Sequence, residues 1–222
     1  MRRGNRTRAV VFDLDGTLID SLPLVLRAIT HAIEPFGARP TMEIFAKLGG
    51  PPERFLATLL DDARHVPTAM QRMRAFHDEH GMDLQPFAGV PEFLDALREG
   101  GVQLAIWTGR DRESTVYLLR KLRLEIFFAT VLCGDDLPTH KPDPEGLREI
   151  LRRLGVSAAE TIFVGDADVD VLGGTACRVD TVLIRHQREI AESTLRQSWQ
   201  HVASPGEALE LVRRCVDDVR LE

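Results

Sequence analysis

Ala9-Val10-Val11-Phe12-Asp13-Leu14-Asp15-Gly16-Thr17 is the stretch on which the fold turns. Its first four residues are an unbroken apolar run and read, with Arg8, as a short buried parallel strand. Gly16 ends that strand and lets the backbone turn sharply. Asp13 and Asp15 stand two residues apart, so on an extended backbone their carboxylates point to the same side. Converging carboxylates repel unless something offsets their charge. A divalent cation would do so, and Mg²⁺ prefers oxygen ligands. One proton shared by the pair would also do so and would suit acid–base work. On this stretch alone, a plain polar turn remains a third reading, because Asp and Gly are common in turns.

Further along the chain, three more apolar runs each lead to a polar cluster. Val102 to Trp107 ends in Thr108-Gly109-Arg110. Ala129 to Cys133 is followed, after a short loop, by His140-Lys141-Pro142-Asp143. Thr161 to Val164 ends in Gly165-Asp166-Ala167-Asp168-Val169-Asp170. Between and after these runs, helices are expected near Pro91–Glu99, Glu113–Leu122, Pro144–Leu154, Val169–Cys177 and Pro205–Val216. Alternation of this kind predicts an α/β fold, a doubly wound parallel sheet covered on both faces. Ligands bind such sheets outside the carboxyl ends of the strands. All four clusters therefore belong on one edge, where they supply carboxylates, a hydroxyl and a lysine. That set can hold a cation and a phosphate side by side.

In this order, Asp13-x-Asp15-Gly16-Thr17, Thr108, Lys141 and Gly165-Asp166-x-x-x-Asp170 resemble the four motifs of the haloacid dehalogenase superfamily of aspartate-nucleophile hydrolases. The resemblance runs from Ala9 to about Arg185. Leu18-Ile19-Asp20-Ser21 and Lys141-Pro142-Asp143-Pro144 further resemble its phosphoglycolate phosphatase-like branch, which carries a small helical cap. The resemblance implies a Rossmann-like core from residues 1–19 and 84–222 and a four-helix cap from residues 20–83. It implies a Mg²⁺-dependent phosphatase that hydrolyses a small phosphate monoester, phosphoglycolate among the candidates, through an aspartyl-phosphate. By the same resemblance Asp13 is the nucleophile, and Asp15 is the acid for the leaving alkoxide and the base for water. Mg²⁺ would be held by the Asp13 carboxylate, the Asp15 backbone carbonyl and Asp166. Thr108 with Gly109 and nearby N–H groups would bind phosphate oxygens, Lys141 would add positive charge, and Asp170 would orient a metal-bound water or Lys141. A sugar phosphomutase of the beta-phosphoglucomutase type and a non-catalytic regulatory protein are the other readings. The presence of Asp15 argues against dehalogenation, since a departing halide needs no proton. Thr108-Gly109-Arg110 replaces the Ser/Thr-Asn of many relatives and leaves the leaving group open.

From about Asp20 to Asp83 the pattern is helical throughout. Asp20 or Ser21 is expected to cap a helix carrying Leu22, Val25, Leu26, Ile29 and Ile33 on one face. Thr41, Pro52 and Thr68 are expected to open three more. Lys47-Leu48-Gly49-Gly50-Pro51-Pro52 reads as a tight turn between cap helices, which in related enzymes faces the sheet edge. Lys47, Gly49, Gly50, Arg54 and Arg110 are therefore candidate substrate contacts, although a solvated charged face is the default for such side chains. Asp168 reads as a helix cap, and Ser204-Pro205-Gly206-Glu207 has the form of a capping box. His77-Asp78-Glu79-His80 lacks the spacing of a metal-binding helix and reads as a solvated helix end.

Composition narrows the class further. At 44% hydrophobic and 28% charged, the 222-residue chain falls in the range of soluble globular proteins. A net charge of −6 argues against a nucleic-acid surface. The apolar run after Arg2, Arg3, Arg6 and Arg8 is too short for a signal peptide, and no run approaches membrane-spanning length. Cys133, Cys177 and Cys215 are odd in number and widely spaced, as expected of reduced thiols in the cytoplasm. The expected partner is a small phosphorylated metabolite, with no nucleic acid and no membrane, acting on a monomer or homodimer.

Overall fold

The computed structural model describes residues 7–39, 52–80, 84–186 and 190–217. Six parallel strands make one sheet: β1 (Ala9–Phe12), β2 (Gln103–Trp107), β3 (Thr130–Leu132), β4 (Thr161–Gly165), β5 (Asp180–Ile184) and β6 (Gln200–Val202), in the order β3-β2-β1-β4-β5-β6. Val11 lies opposite Ala105 on one side and Phe163 on the other, and Phe12 lies opposite Ile106 and Val164. The ladder runs on past the strands, with the Asp13 N–H donating to the Val164 carbonyl at 2.8 Å and the Thr108 N–H to Leu132 at 3.0 Å. In-register parallel strands deliver their next residues to the same edge. The chain works outward from β1 through β2 to β3, then returns across the sheet to β4. The strand order thus reverses between β1 and β4, the place where a doubly wound sheet opens a crevice.

Side chains alternate across the sheet as the two-residue strand period demands. On one face Ala9, Val11, Ala105, Trp107, Leu132 and Phe163 pack with Leu147, Ile150 and Leu154. These last belong to the helix Glu145–Leu154, whose apolar residues recur at three- and four-residue spacing. Gly155 ends that helix in the left-handed conformation, φ 63°, and Arg152 and Arg153 sit in its last turn, where cations suit the helix dipole. On the other face Phe12 meets Phe93 edge to face at 6.2 Å; Phe93 lies on the helix Val90–Glu99 with Val90, Leu94 and Leu97, all buried. Burying each such side chain stabilises the fold by roughly 1.5–3 kcal/mol. The helices Arg112–Lys121, Asp168–Ala176, Glu192–Gln197 and Pro205–Asp217 complete the α/β unit. Among the described residues no helix is long and apolar enough to cross a membrane.

The chain divides into two compact units, one running to Ile19 and resuming at Pro86, the other spanning Asp20–Gln85. The second is helical, with Leu22–Ile33, Pro52–Leu59 and Val66–His80 among its described residues. Ile29, Ala32, Ile33, Leu56, Leu60, Ala69 and Met70 form its own core. The Arg72 guanidinium donates to the His31 carbonyl at 2.9 and 3.1 Å, tying the first of these helices to the last.

Several local expectations are corrected. Ser21 is the N-cap of Leu22–Ile33, but its hydroxyl makes no capping bond, because its backbone is already in the helical region and Pro23 fills the first turn. The last helix of this unit starts at Val66, before Thr68, with Pro67 where a missing N–H costs nothing. The helix expected from Thr41 lies outside the described residues. At Ser204, the hydroxyl accepts the Glu207 N–H at 3.3 Å, while the Glu207 carboxylate reaches one residue further back, to the Ala203 N–H at 3.0 Å.

Candidate active site

The turn after β1 folds tightly because the Leu14 carbonyl accepts the N–H groups of Thr17, Leu18 and Ile19 at 3.0 to 3.3 Å. Gly16 takes a left-handed conformation there, φ +77°. A Cβ at this position would lie 2.4 Å from Asp166 Oδ2, so only glycine lets the turn approach the end of β4. The His186 Nε2–H donates to the Gly16 carbonyl at 2.7 Å from the far side, and Nε2 lies 3.7 Å from Asp166 Oδ2. His186 follows β5 and is itself left-handed, φ 50°. No sequence motif marks His186, which simply follows the buried run Thr181 to Ile184 of β5.

At the reversal of strand order, Lys141 joins two carboxylates. Its Nζ donates to Asp13 Oδ1 and to Asp170 Oδ1, both at 2.7 Å. The second oxygen of Asp170 accepts the backbone N–H groups of Asp166 at 3.1 Å and Ala167 at 3.0 Å. Asp170 thereby caps its own helix and fixes Lys141 with one carboxylate. Asp168, expected to cap, is instead the first residue of that helix, and it is Asp170 that reaches back to the N–H groups of Asp166 and the N-cap Ala167. The ammonium also lies 5.1 Å from the Trp107 ring centre and 5.4 Å from that of Phe163, within cation–π range of both.

This cluster is dry. The side chains of Lys141, Asp13 and Asp170 are 7%, 11% and 1% exposed. Burial pushes the Asp13 carboxyl up to about 7, aided by the neighbouring Asp170 and Asp15 and opposed by Lys141. Burial alone would lower Lys141, but Asp13 and Asp170 outweigh it and hold the ammonium above its ordinary range. One oxygen of each of Asp13, Asp166 and Asp170 lies within 4.8 Å of the others. Lys141 bonds two of these three buried carboxylates, and their all-oxygen donor set suits a hard divalent cation that would offset the remaining charge.

Asp15 is held differently. Arg110 Nε and Nη2 donate to its two oxygens at 2.9 and 2.7 Å, a parallel two-bond pair. The default reading of Arg110 as a solvated side chain is corrected: it is 11% exposed, against 31% for Asp15. Burial alone would lower the guanidinium, and Asp15 more than offsets it. The Arg110 N–H donates to Thr108 Oγ1 at 3.1 Å, and the Arg110 carbonyl accepts from the Gly134 N–H at 2.8 Å, so this loop is pinned at both ends. The edge of the sheet thus assembles Asp13, Lys141, Asp166 and Asp170 in one cluster and Asp15, Arg110 and Thr108 in another, with Gly109 between Thr108 and Arg110. Lys47, Gly49 and Gly50 lie outside the described residues. Arg54 belongs to the helix Pro52–Leu59 of the helical unit.

The haloacid dehalogenase-like hydrolase family matches residues 10–184. The chain belongs to that family and is an enzyme of its phosphatase kind. It is 34% identical over 205 residues to a protein of Pseudomonas syringae pv. tomato named phosphoglycolate phosphatase, covering 85% of this chain and 75% of the relative. It is 33% identical over 180 residues to one of Halalkalibacterium halodurans named pyrophosphatase PpaX, covering 79% and 82%. Among solved structures, a haloacid dehalogenase-like family hydrolase from Streptococcus pneumoniae shares the fold, with a TM-score of 0.77 at 23% identity over 92% of this chain and 98% of that one.

Proposed function

We propose that this protein is a Mg²⁺-dependent phosphatase of small phosphate monoesters that works through an aspartyl-phosphate on Asp13. One observation carries the reading: a buried Lys141 clamps Asp13 against Asp170 beside Asp166, while Asp15, two residues on, is held apart by Arg110. Two aspartates in such different surroundings suit two different tasks.

Asp13, Asp166 and the backbone carbonyl of Asp15 would hold Mg²⁺, which when bound offsets the charge of the carboxylates and of the phosphoryl oxygens. Asp13 attacks phosphorus, and the bond to the leaving oxygen breaks. Asp15 delivers a proton to that oxygen, then takes one from the water that splits the aspartyl-phosphate, releasing inorganic phosphate and restoring Asp13. Lys141 fixes the direction of the Asp13 carboxylate and adds positive charge where the transferring group becomes most negative. The Thr108 hydroxyl and the N–H groups of its loop offer hydrogen bonds to phosphoryl oxygens. The names of the relatives make 2-phosphoglycolate and pyrophosphate the first compounds to try. Cys133, Cys177 and Cys215 form no disulfide, which fits a reducing, cytoplasmic setting.

The test is turnover of p-nitrophenyl phosphate, 2-phosphoglycolate and pyrophosphate with Mg²⁺ and with chelator, in the wild-type protein and in Asp13→Asn. The expected result is Mg²⁺-dependent phosphate release by the wild type and none by Asp13→Asn, whose amide is nearly isosteric but a poor nucleophile. Near wild-type turnover in a pure Asp13→Asn sample, checked by mass spectrometry for deamidation, would sink the reading.

A further inference from the structure

Arg110 offers more donors than Asp15 uses. A guanidinium is a planar fork with two edges, each able to grip a carboxylate or phosphate through two parallel bonds. The Nε–Nη2 edge of Arg110 is taken by Asp15. The other edge consists of Nη1 and the second N–H of Nη2, and among the described residues Nη1 makes no hydrogen bond. The side chain is only 11% exposed, yet Nη1 is not sealed from solvent, so this edge stands open to a ligand. The edge is also held in place. Asp15 fixes the guanidinium plane, and Thr108 Oγ1 and the Gly134 N–H fix the Arg110 backbone. A partner would therefore be met with little loss of side-chain freedom.

Position decides what that partner is. Lys141 serves Asp13, where the phosphoryl group is attacked. Arg110 serves Asp15, which meets the oxygen that departs. A group gripped by the outer edge of Arg110 is therefore attached through the leaving group, a few atoms from the bond that breaks. We infer that Arg110 binds a second anion carried by the leaving group, so that the enzyme selects small phosphate compounds whose leaving group is itself a carboxylate or phosphate. This rests on the proposed role of Asp15 as the proton donor to the leaving oxygen, and it makes Arg110 a residue that sets specificity.

Two esters of matched length separate this role from a merely positional one. 2-Phosphoglycolate and 2-hydroxyethyl phosphate differ by a carboxylate in place of a neutral hydroxymethyl group. With Mg²⁺, the wild-type protein should favour 2-phosphoglycolate by about tenfold or more in kcat/KM, as expected for charge-assisted bonds. Arg110→Gln should cancel that preference. Arg110→Lys, which keeps the charge but loses the fork, should keep part of it and carries the comparison if Arg110→Gln does not fold. Calorimetric binding of both esters to Asp13→Asn, with and without Arg110→Gln, gives a readout free of turnover. The same preference should appear there and vanish with Arg110→Gln. The inference is overturned if the wild type has no such preference, or if a folded Arg110→Gln loses the same factor on both esters, which would leave Arg110 as a support for Asp15 alone. If neither ester turns over but the binding preference is lost with Arg110→Gln, the anion site stands and the proposed hydrolysis falls.

Discussion

Lys141 and Arg110 face carboxylates at the same sheet edge, yet they do so in opposite ways. Lys141 is a compact charge set between two buried carboxylates, Asp13 and Asp170, and it joins the loops after β1 and β3 to the helix after β4. Arg110 is a flat fork laid along one carboxylate that is 31% exposed. The contrast shows how a chain can give two nearly adjacent aspartates separate lives. A shared ammonium fixes Asp13 in a dry place where its charge is costly, and a two-bond pair leaves Asp15 nearer to water, where protons come and go.

The strongest attempt to break this contrast is Lys141→Met. It leaves Asp13 and Asp170 buried against each other, so stability should fall by about 3–5 kcal/mol and turnover should drop to background. Urea unfolding and a phosphate-release assay check both, and a variant of normal stability would mean that the clamp contributes little. Asp15→Asn probes the other side. It should bind Mg²⁺ like the wild type, melt lower because Arg110 loses its counter-charge, and lose ~10²–10⁴-fold in kcat through the missing proton transfer. Weakened Mg²⁺ binding by calorimetry would show instead that the two clusters are one.

Gly16→Ala sharpens the comparison at its seam. The new Cβ would press on Asp166, which must shift, and Mg²⁺ affinity should fall by roughly 10–100-fold. Unchanged affinity would remove Asp166 from the metal site. The smallest effect concerns pH. Because the Asp13 carboxyl is raised to about 7 by burial, the folded protein holds this proton more tightly than the unfolded chain. The stability it contributes without metal is present below about 4 and is lost as pH rises through 7. A cation must displace that proton, so added Mg²⁺ should raise Tm more at pH 8 than at pH 5.5. Thermal melts of wild type and Asp13→Asn in chelator and in Mg²⁺ test it; an equal shift at both pH values would mean that Asp13 does not couple proton and metal.

Much of this architecture was legible before any coordinates. The runs ending at Phe12, Trp107, Cys133 and Val164 are apolar without alternation, as strands covered on both faces must be, and each stops at a polar cluster. β6 is three residues, Gln200–Val202, at the sheet edge with two of them exposed, so it has no apolar run to betray it. The helix Glu192–Gln197 is too short for its period to show. In the site, Asp13, Lys141, Asp166 and Asp170 announce themselves because carboxylates and a lysine after strands have few other uses. Arg110 stands out only as a candidate substrate contact; its pairing with Asp15 is hidden, because nothing in Thr108-Gly109-Arg110 says that its side chain turns back toward a residue far off in the chain. His186 does not announce itself, because its task, an N–H to the Gly16 carbonyl, is backbone recognition and leaves no motif.

The bonds that hold these groups join distant parts of the polypeptide. Asp15 waits 95 residues for Arg110, Asp13 waits 128 for Lys141, and Gly16 waits 170 for His186. During synthesis on the ribosome, which proceeds from the N-terminus, both aspartates emerge long before the cations that restrain them. Until Arg110 and Lys141 follow, Asp13 and Asp15 belong to an open, solvated chain with neither partner in reach. The pairs that close the longest loops also carry the largest entropic cost of formation, so they depend on the sheet being in place first. A nascent chain of this protein therefore has no assembled carboxylate cluster, which forms only as the far strands of the sheet close.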